Sequence, residues 1–264
     1  LHPTMRAVLA HDGYPFVVTA AAVLQHASFS GEVAVVQSSH VPPGRRFEPS
    51  REAALHPHMY EIAQTLGDEQ TDLIAVPEFA GPYGIADLAV VATAWSRLAA
   101  RIDAQIEPIV HELDAAIVAH LTTRRGRALH ELTQVLPVRE NEIDRRIAHL
   151  VRVGAVQRSG SGRLTRHESL SPLGRIYAIE LKVRAWRRAI DQARAYALWS
   201  DRSIAVLGSL PADRSNVMGE ARAAGVGLAV ESEWLVRPRA TGQPQARRLW
   251  TSEIFFAAIS RSQP

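Results

Sequence analysis

The chain has 264 residues, of which 47% are hydrophobic and 22% charged, and its formal net charge is +3 at pH 7. This length allows one large domain or two small ones with a substantial core. Because the chain has no cysteine, disulfides and cysteine-ligated metal sites are excluded, and a reducing cytoplasm is the expected location. The longest apolar run, residues 16–24, is too short to span a bilayer and lacks a signal-peptide layout, so no membrane partner is expected.

The first fifty residues carry little recognisable chemistry. Residues 16–24 fit a buried helix, residues 32–36 fit a strand, and residues 41–46 form a turn-rich connector. Three histidines lie near one another in sequence without a cysteine or aspartate at a metal-site spacing, and loop histidines are the favoured interpretation: His40, His56 and His58.

The next segment predicts a helix and a β-hairpin. Residues 51–66 show an apolar stripe at helical spacing, with Glu61 off that stripe. Two apolar runs, residues 73–79 and 85–91, flank a Gly/Pro turn and predict paired strands. Asp87 interrupts the second strand, where a buried carboxylate needs a partner. The alternative is an aspartate at a strand edge that caps a turn.

The middle of the chain predicts a compact helical module. Residues 104–122, 128–136 and 139–153 each show helical spacing, and residues 155–166 form a short hairpin with a glycine-rich tip. Three helices followed by such a hairpin resemble a winged helix-turn-helix module. In that family the third helix enters the major groove of DNA and the hairpin, or wing, contacts the backbone.

The charge of this module agrees with a DNA partner. Residues 108–175 contain eleven arginines against seven acidic residues. The arginines expected to contact DNA lie on the third helix and the wing: Arg145, Arg146, Arg158, Arg163 and Arg166. Acidic residues open the third helix, at positions 140, 142 and 144. They either complement the helix dipole or indicate that the helix meets protein instead of DNA.

A strand at residues 176–183 carries the most informative polar pair. Its side chains alternate, so Glu180 and Lys182 share one face of a largely apolar strand, where both are costly unless they pair or bind something. Lys182 is the only lysine among the 30 cationic residues of the chain. A site that needs a compact ammonium cannot always accept arginine, so the pair is a candidate site. The alternative is a surface lysine beside a surface glutamate.

The remaining chain predicts an α/β core. A helix at 186–200 is followed by a strand at 203–207, a helix at 216–224 and a strand at 226–230. The tail carries several arginines and then an apolar helix around residues 250–259, which is expected to dock on the body.

The order of these elements resembles the PD-(D/E)xK nuclease superfamily. The resemblance rests on Asp87 in the hairpin, on the run Glu180-Leu181-Lys182, and on a following helix with Gln192 and Tyr196. It implies a restriction-endonuclease-like mixed sheet flanked by helices and interrupted by the winged helix. Residues 1–103 would hold the first half of the core, residues 104–174 the insertion, and residues 175–264 the second half and tail.

The resemblance also implies a metal site and roles for its residues. Asp87, Glu180 and the carbonyl of Leu181 would bind Mg²⁺ or Mn²⁺. Lys182 would position the attacking water or stabilise the charge of the transition state. The other implied roles are less direct: Glu61 would reach the metal through water, Gln192 would orient Lys182 or a phosphate, and Glu78 is a weaker candidate.

The expected function is a divalent-metal-dependent endonuclease acting on double-stranded DNA, with a homodimer if both strands are cut. A catalytically inactive DNA-binding regulator or scaffold on the same fold is the first alternative. A winged-helix interaction protein with an unrelated α/β domain is the second, and it predicts that Asp87 and Glu180 lie far apart.

Overall fold

The computed structural model describes residues 33–35, 54–68 and 71–261. Within these ranges a mixed seven-stranded sheet carries helices on both faces, which confirms the α/β class. Of the elements expected near the start of the chain, only the strand at 32–36 is seen, as β1. The expected helix at 16–24 and connector at 41–46 lie outside the described residues, as does His40.

Nine strands occur in the described ranges, and seven of them form the main sheet. In chain order they are β1 (Val33–Val35), β2 (Asp72–Gly81), β3 (Gly84–Thr93), β4 (Val156–Arg158), β5 (Leu164–Arg166), β6 (Arg175–Lys182), β7 (Arg202–Leu207), β8 (Gly227–Val230) and β9 (Glu233–Val236). The main sheet has the spatial order β1-β2-β3-β6-β7-β8-β9, and β4 pairs only with β5. Strands β2, β3 and β6 are antiparallel neighbours, whereas β6, β7 and β8 run parallel.

Eight helices complete the described part of the chain. They are α1 (His56–Gln64), α2 (Trp95–Asp103), α3 (Glu112–His120), α4 (Leu129–Thr133), α5 (Glu140–Arg152), α6 (Trp186–Tyr196), α7 (Arg214–Ala224) and α8 (Gln245–Arg261). None of the helices in the described ranges is long and apolar enough to cross a bilayer. Helix α5 has acidic residues in its first turn and His149 and Arg152 in its last, which complements the helix dipole.

The side chains of β6 divide between the two layers of the core, as the alternation predicts. Tyr177 and Ile179 enter the layer covered by α1, where Met59 and Ile62 are buried. Ile176 enters the opposite layer, which α6 and α8 cover. Glu180 and Lys182 lie on the same face of β6 as Ile176, because side chains two positions apart point to the same side of a strand. They therefore point toward the layer that α6 covers.

Residues 104–171, called the helical unit below, have a core of their own. Helices α3, α4 and α5 bury Ile117, Leu132 and Ile147 against the β4–β5 hairpin. The two ends of the inserted segment meet, because the hydroxyl of Thr93 donates a 2.5 Å hydrogen bond to the carbonyl of Leu173. Strands β3 and β6 therefore pair directly, although residues 94–174 separate them in sequence.

Helix α8 fastens the helical unit to the sheet, which confirms that the tail docks on the body. Its Leu249 belongs to the core of the helical unit, while Phe255 and Ile259 pack under the sheet. The same helix supplies Glu253, which forms a fully buried ion pair with Arg101 of α2. One helix thus contributes to both cores.

The structure differs from the sequence predictions in several elements. The single helix at 104–122 is wrong, because α2 ends at Asp103 and α3 begins only at Glu112. The intervening backbone is irregular, with Gln105 at φ 51°. The guanidinium of Arg101 binds the carbonyls of Ile106 and Glu107, which a continuous helix would use internally. Helix α2 and strand β9 have no counterpart in the sequence predictions. His56 and His58 lie in α1, so their interpretation as loop histidines is wrong.

Candidate functional site

Asp87, Glu180 and Lys182 meet at the junction of β3 and β6. The Nζ atom of Lys182 lies 2.7 Å from Oε1 of Glu180 and 3.8 Å from Oδ2 of Asp87. The same amine donates a 2.8 Å hydrogen bond to the carbonyl of Leu181. All three side chains are buried, with exposures of 7% for Asp87, 0% for Glu180 and 8% for Lys182. The surface-lysine interpretation is therefore wrong.

The ladder between β3 and β6 brings Asp87 to Glu180. Leu88 is paired with Ile179, so the next position on each strand is Asp87 and Glu180. The backbone pairing of β3 with β6 ends at Leu88 and Ile179. At the next step the N–H of Leu181 donates a 2.7 Å hydrogen bond to Oδ2 of the Asp87 side chain. Asp87 thus lies on an interior strand with a specific partner, not at a strand edge. The two carboxylates are neighbours, contrary to the prediction for an unrelated α/β domain.

Strand β2 is distorted opposite Asp87. Glu78 has φ 48°, an uncommon value for a residue other than glycine. Val76 and Phe79 lie in the same apolar layer although they are three positions apart, an odd spacing, so the alternation of β2 breaks at Glu78. The register of the flanking pairs places Glu78 opposite Asp87. Backbone strain of this kind clusters at functional sites.

Tyr196 completes the environment of Glu180. Its hydroxyl lies 2.5 Å from Oε2 of Glu180 and 2.6 Å from the carbonyl of Ile85. The ring is anchored by packing against Trp199, whose side chain is fully buried. The sequence contains Tyr196 in the helix after the Glu-Leu-Lys run, but the contact with Glu180 depends on how α6 crosses β6.

Burial sets the protonation of Glu180. Loss of solvent raises the pKa of the Glu180 carboxyl, and the nearby charge of Asp87 raises it further. The ammonium of Lys182 and the hydroxyl of Tyr196 act in the opposite direction, because both stabilise the carboxylate form. Burial is the largest effect, so the net pKa lies above the ordinary value for glutamate.

The oxygen atoms around the Lys182 amine fit a hard divalent cation. Two carboxylates and the Leu181 carbonyl surround that amine, and oxygen ligands of this kind suit Mg²⁺ or Mn²⁺. The ammonium of Lys182 is a positive charge placed among these oxygens, so they already surround a cation. In the described ranges no third acidic or histidine side chain joins them to form a larger metal-binding group. Water would supply the remaining ligands, as is usual for Mg²⁺.

Glu61 lies in a different set of contacts. Its carboxylate accepts a hydrogen bond from Ser232 and lies 3.6 Å from Nδ1 of His58. The hydrogen bond from Ser232 lowers the pKa of Glu61, and His58 adds to this effect. Helix α1 packs on the sheet layer opposite to the one that Glu180 faces. The structure thus brings Glu61 to Ser232, not to the two carboxylates.

Gln192 lies on α6 one turn before Tyr196, on the same side of the helix. Its side chain is half-buried, and Oε1 is a buried acceptor with no hydrogen-bond donor in the described part of the protein. Buried amide oxygens are nearly always paired, so an unpaired one calls for a partner. Gln192 therefore offers a hydrogen-bond acceptor close to the Tyr196–Glu180 contact.

Two of the five arginines predicted to bind DNA are buried to a degree that the sequence did not indicate. Arg146 forms a two-pronged ion pair with Asp114 at 2.6 and 2.7 Å, and its side chain is only 20% exposed. This pair joins α5 to α3 inside the helical unit. Arg166 is half-buried at the end of β5, and burial lowers the pKa of its guanidinium.

The other three arginines are more exposed. Arg145, at 73% exposure, pairs with Glu142 of its own helix. Arg158 lies 3.1 Å from Asp144, and Arg163 lies 3.4 Å from Glu131. Such exposed pairs contribute little to stability and exchange readily for other anions.

The chain matches no family model, no curated protein and no solved structure. Function is therefore inferred from the residues and their geometry.

Proposed function

We propose that this protein is a divalent-metal-dependent endonuclease that hydrolyses phosphodiester bonds in double-stranded DNA. The supporting observation is the convergence of Asp87, Glu180, the Leu181 carbonyl and the sole lysine at one buried point. This is the arrangement that the PD-(D/E)xK resemblance requires, and long-range strand pairing produces it from residues 93 positions apart. The mixed sheet with flanking helices is compatible with a restriction-endonuclease-like core.

Each residue has a role in this proposal. Asp87, Glu180 and the Leu181 carbonyl would hold Mg²⁺ or Mn²⁺, which would lower the pKa of water and neutralise phosphate charge. Tyr196 fixes Oε2 of Glu180, so that Oε1 stays directed at the Lys182 amine. Lys182 releases the carboxylates and turns its ammonium toward the water or the phosphate, where it stabilises the negative charge that develops.

The helical unit is proposed as a winged helix that positions DNA. Its three helices, its separate core and the β4–β5 hairpin are consistent with that module. Arg145, Arg158 and Arg163 are its exposed arginines from the predicted set, and all three pair with acidic side chains that a phosphate could replace. Cleavage of both strands by one site per chain requires a homodimer.

A catalytically inactive DNA-binding regulator on the same fold is the second candidate. The observation that favours it is the burial of the site, since Glu180 is fully enclosed and the Lys182 ammonium lies among the oxygens that would bind a metal. An active enzyme must open this ion pair for each metal ion that it binds, whereas a binding protein keeps it closed.

The deciding experiment incubates supercoiled plasmid with the protein in Mg²⁺, in Mn²⁺ and in EDTA. Lys182→Ala and Asp87→Ala test the site, and Arg194→Ala, on the exposed side of α6, is the control. We expect metal-dependent nicking or linearisation that falls by about 100-fold or more in both site variants and is unchanged in the control.

Two other outcomes are informative. Intact plasmid together with a salt-sensitive gel shift would support the inactive regulator. Cleavage that survives Lys182→Ala would contradict the assignment of the site, because no other lysine is available to replace it.

A further inference from the structure

A cleft of about 290 Å³ lies between the end of α7 and strand β9. Three arginines from separate positions in the chain line its rim: Arg222, Arg237 and Arg239. Its other walls are the Gly225 backbone and the apolar residues Val226, Leu235 and Val236. The cleft therefore combines a cationic rim with an apolar floor, and none of the acidic side chains in the described ranges lines it.

Two of the arginines are held in place by the backbone. Arg237 and Arg239 flank Pro238, which is buried and restricts the chain on both sides. Pro238 packs so closely on Gly227 that a Cβ at that glycine would lie 2.9 Å from the proline ring. The N–H of Arg239 donates a 3.0 Å hydrogen bond to the carbonyl of Gly225. The two side chains thus project from a fixed segment.

Several arginines in the described part of the protein pair with a carboxylate. Arg101 and Arg146, for example, each lie within ion-pair distance of a carboxylate. Among the residues that the structure describes, no carboxylate pairs with an arginine of the cleft, and Arg237 instead stacks its guanidinium 4.5 Å above the Trp234 ring. Three like charges around one cleft repel each other, and a bound anion would offset that repulsion.

The dipole of α7 explains only part of this arrangement. Arg222 lies in the last turn, where a cation is favourable. Two of the carbonyls at that end are already bonded, because Gly225 and Val226 donate to the carbonyls of Arg222 and Ala221. The dipole acts over about one turn and favours a cation only weakly, so it accounts for the two further arginines only in part.

We propose that this cleft binds a phosphate group carried by a nucleotide or by a nucleic-acid strand. Guanidinium groups match phosphate oxygens in pairs, and the apolar floor suits the sugar or base attached to the phosphate. A volume of about 290 Å³ is near the lower limit for ligand pockets, which fits one nucleotide unit. Strand β9, which forms one wall of the cleft, lies three strand spacings from β6, roughly 14 Å, so the cleft would hold a different phosphate from the metal site.

The test is carried out in EDTA, so that neither metal binding nor cleavage enters the result. Binding of inorganic phosphate, adenosine 5′-monophosphate and a short single-stranded oligonucleotide is measured by calorimetry or fluorescence anisotropy at low salt. The cleft variant is Arg237→Gln with Arg239→Gln. The matched control is Arg188→Gln with Arg214→Gln, which removes the same charge from exposed positions on α6 and α7.

We expect the cleft variant to bind at least about tenfold more weakly than the wild type, because charged hydrogen bonds are removed, while the control is unchanged. Weaker binding of the mononucleotide identifies a nucleotide site. If only the oligonucleotide binds, the slope of its salt dependence should fall by about 0.7 for each phosphate that the variant no longer neutralises, which identifies a strand.

Arg222→Gln is a second cleft variant, and it should also weaken binding. Its position on an exposed helix surface means that the fold should tolerate the change. Equal weakening in the cleft and control variants would overturn the proposal, as would a wild-type protein that binds none of the three probes. The plasmid assay can fail while this cleft still binds phosphate, so the two proposals fail separately.

Discussion

Replacing Glu253 with alanine would leave the guanidinium of Arg101 as an unpaired charge in the interior. Both side chains have no exposed surface, and two hydrogen bonds of 3.0 and 2.8 Å join them. The N–H of Ile109 also donates to Glu253 at 3.0 Å. After the substitution Arg101 keeps only the carbonyls of Ile106 and Glu107 and the face of the Phe256 ring, none of which carries a full negative charge.

The expected loss of stability is large. Removing one partner of a buried ion pair costs about 3–5 kcal/mol. The Ile109 N–H, left buried without an acceptor, adds about 1–3 kcal/mol. A total of roughly 4–8 kcal/mol is comparable with the whole free energy of unfolding of an ordinary domain, about 5–15 kcal/mol. At about 2–4 °C per kcal/mol, the melting temperature should fall by roughly 8–32 °C.

The assay is thermal and urea denaturation followed by circular dichroism. Glu107→Ala is the control, because that side chain is exposed and only its backbone carbonyl binds Arg101. The double variant Arg101→Met with Glu253→Leu removes both charges and should recover the part of the loss that comes from the unpaired charge, about 3–5 kcal/mol, while the Ile109 N–H stays without its acceptor. A change of less than about 1 kcal/mol for Glu253→Ala, the scale of a surface substitution, would refute the reasoning.

Three further predictions concern the sheet and the site. Gly174→Ala should destabilise the protein by about 1–3 kcal/mol or more, because its Cβ would overlap the carbonyl oxygen of Ala92, whereas Gly160→Ala, in open space, should be neutral in the same denaturation assay. Because the pKa of Glu180 is raised, metal and proton compete for its carboxylate over a higher pH range, so Mn²⁺ affinity measured by calorimetry should increase as pH rises through that pKa; a flat profile contradicts this. Tyr196→Phe removes a hydrogen bond that lowers the pKa of Glu180, so the same profile should move to higher pH, and an unmoved profile would exclude that contact.

The raised pKa of Glu180 also makes the free energy of unfolding of the metal-free protein depend on pH. A carboxyl whose folded pKa is raised contributes stability below its unfolded pKa and loses that contribution as pH rises through the folded pKa. Glu180→Gln, which cannot ionise, should remove this loss. The difference in unfolding free energy between the two proteins should therefore grow with pH.

Regular local patterns were readable from the sequence. The period-two pattern of β6 placed Tyr177 and Ile179 in the core and set Glu180 and Lys182 on the other face, and both assignments are confirmed. Helix α5 was located to within a residue at each end, because its buried stripe repeats at helical spacing. These features depend on neighbours in the chain, so a single sequence contains them.

Helix α2 shows why other elements were missed. Its buried face includes Arg101. An arginine is expected at the surface when no partner for its charge is known, so the sequence does not predict this buried face. That partner, Glu253, lies 152 residues away. The same reasoning applies to Arg146, whose exposed-looking charge is neutralised by Asp114, 32 residues earlier on another helix.

The sequence by itself determined the α/β class, most of the elements that form the core, and the choice of Asp87, Glu180 and Lys182 as candidate site residues. Only the tertiary structure decided that they meet, because the meeting depends on the pairing of β3 with β6 across an inserted helical unit. It also decided that Glu61 faces Ser232 on the other side of the sheet. Side-chain partners distant in sequence are set by how elements pack, and local periodicity carries no record of that packing.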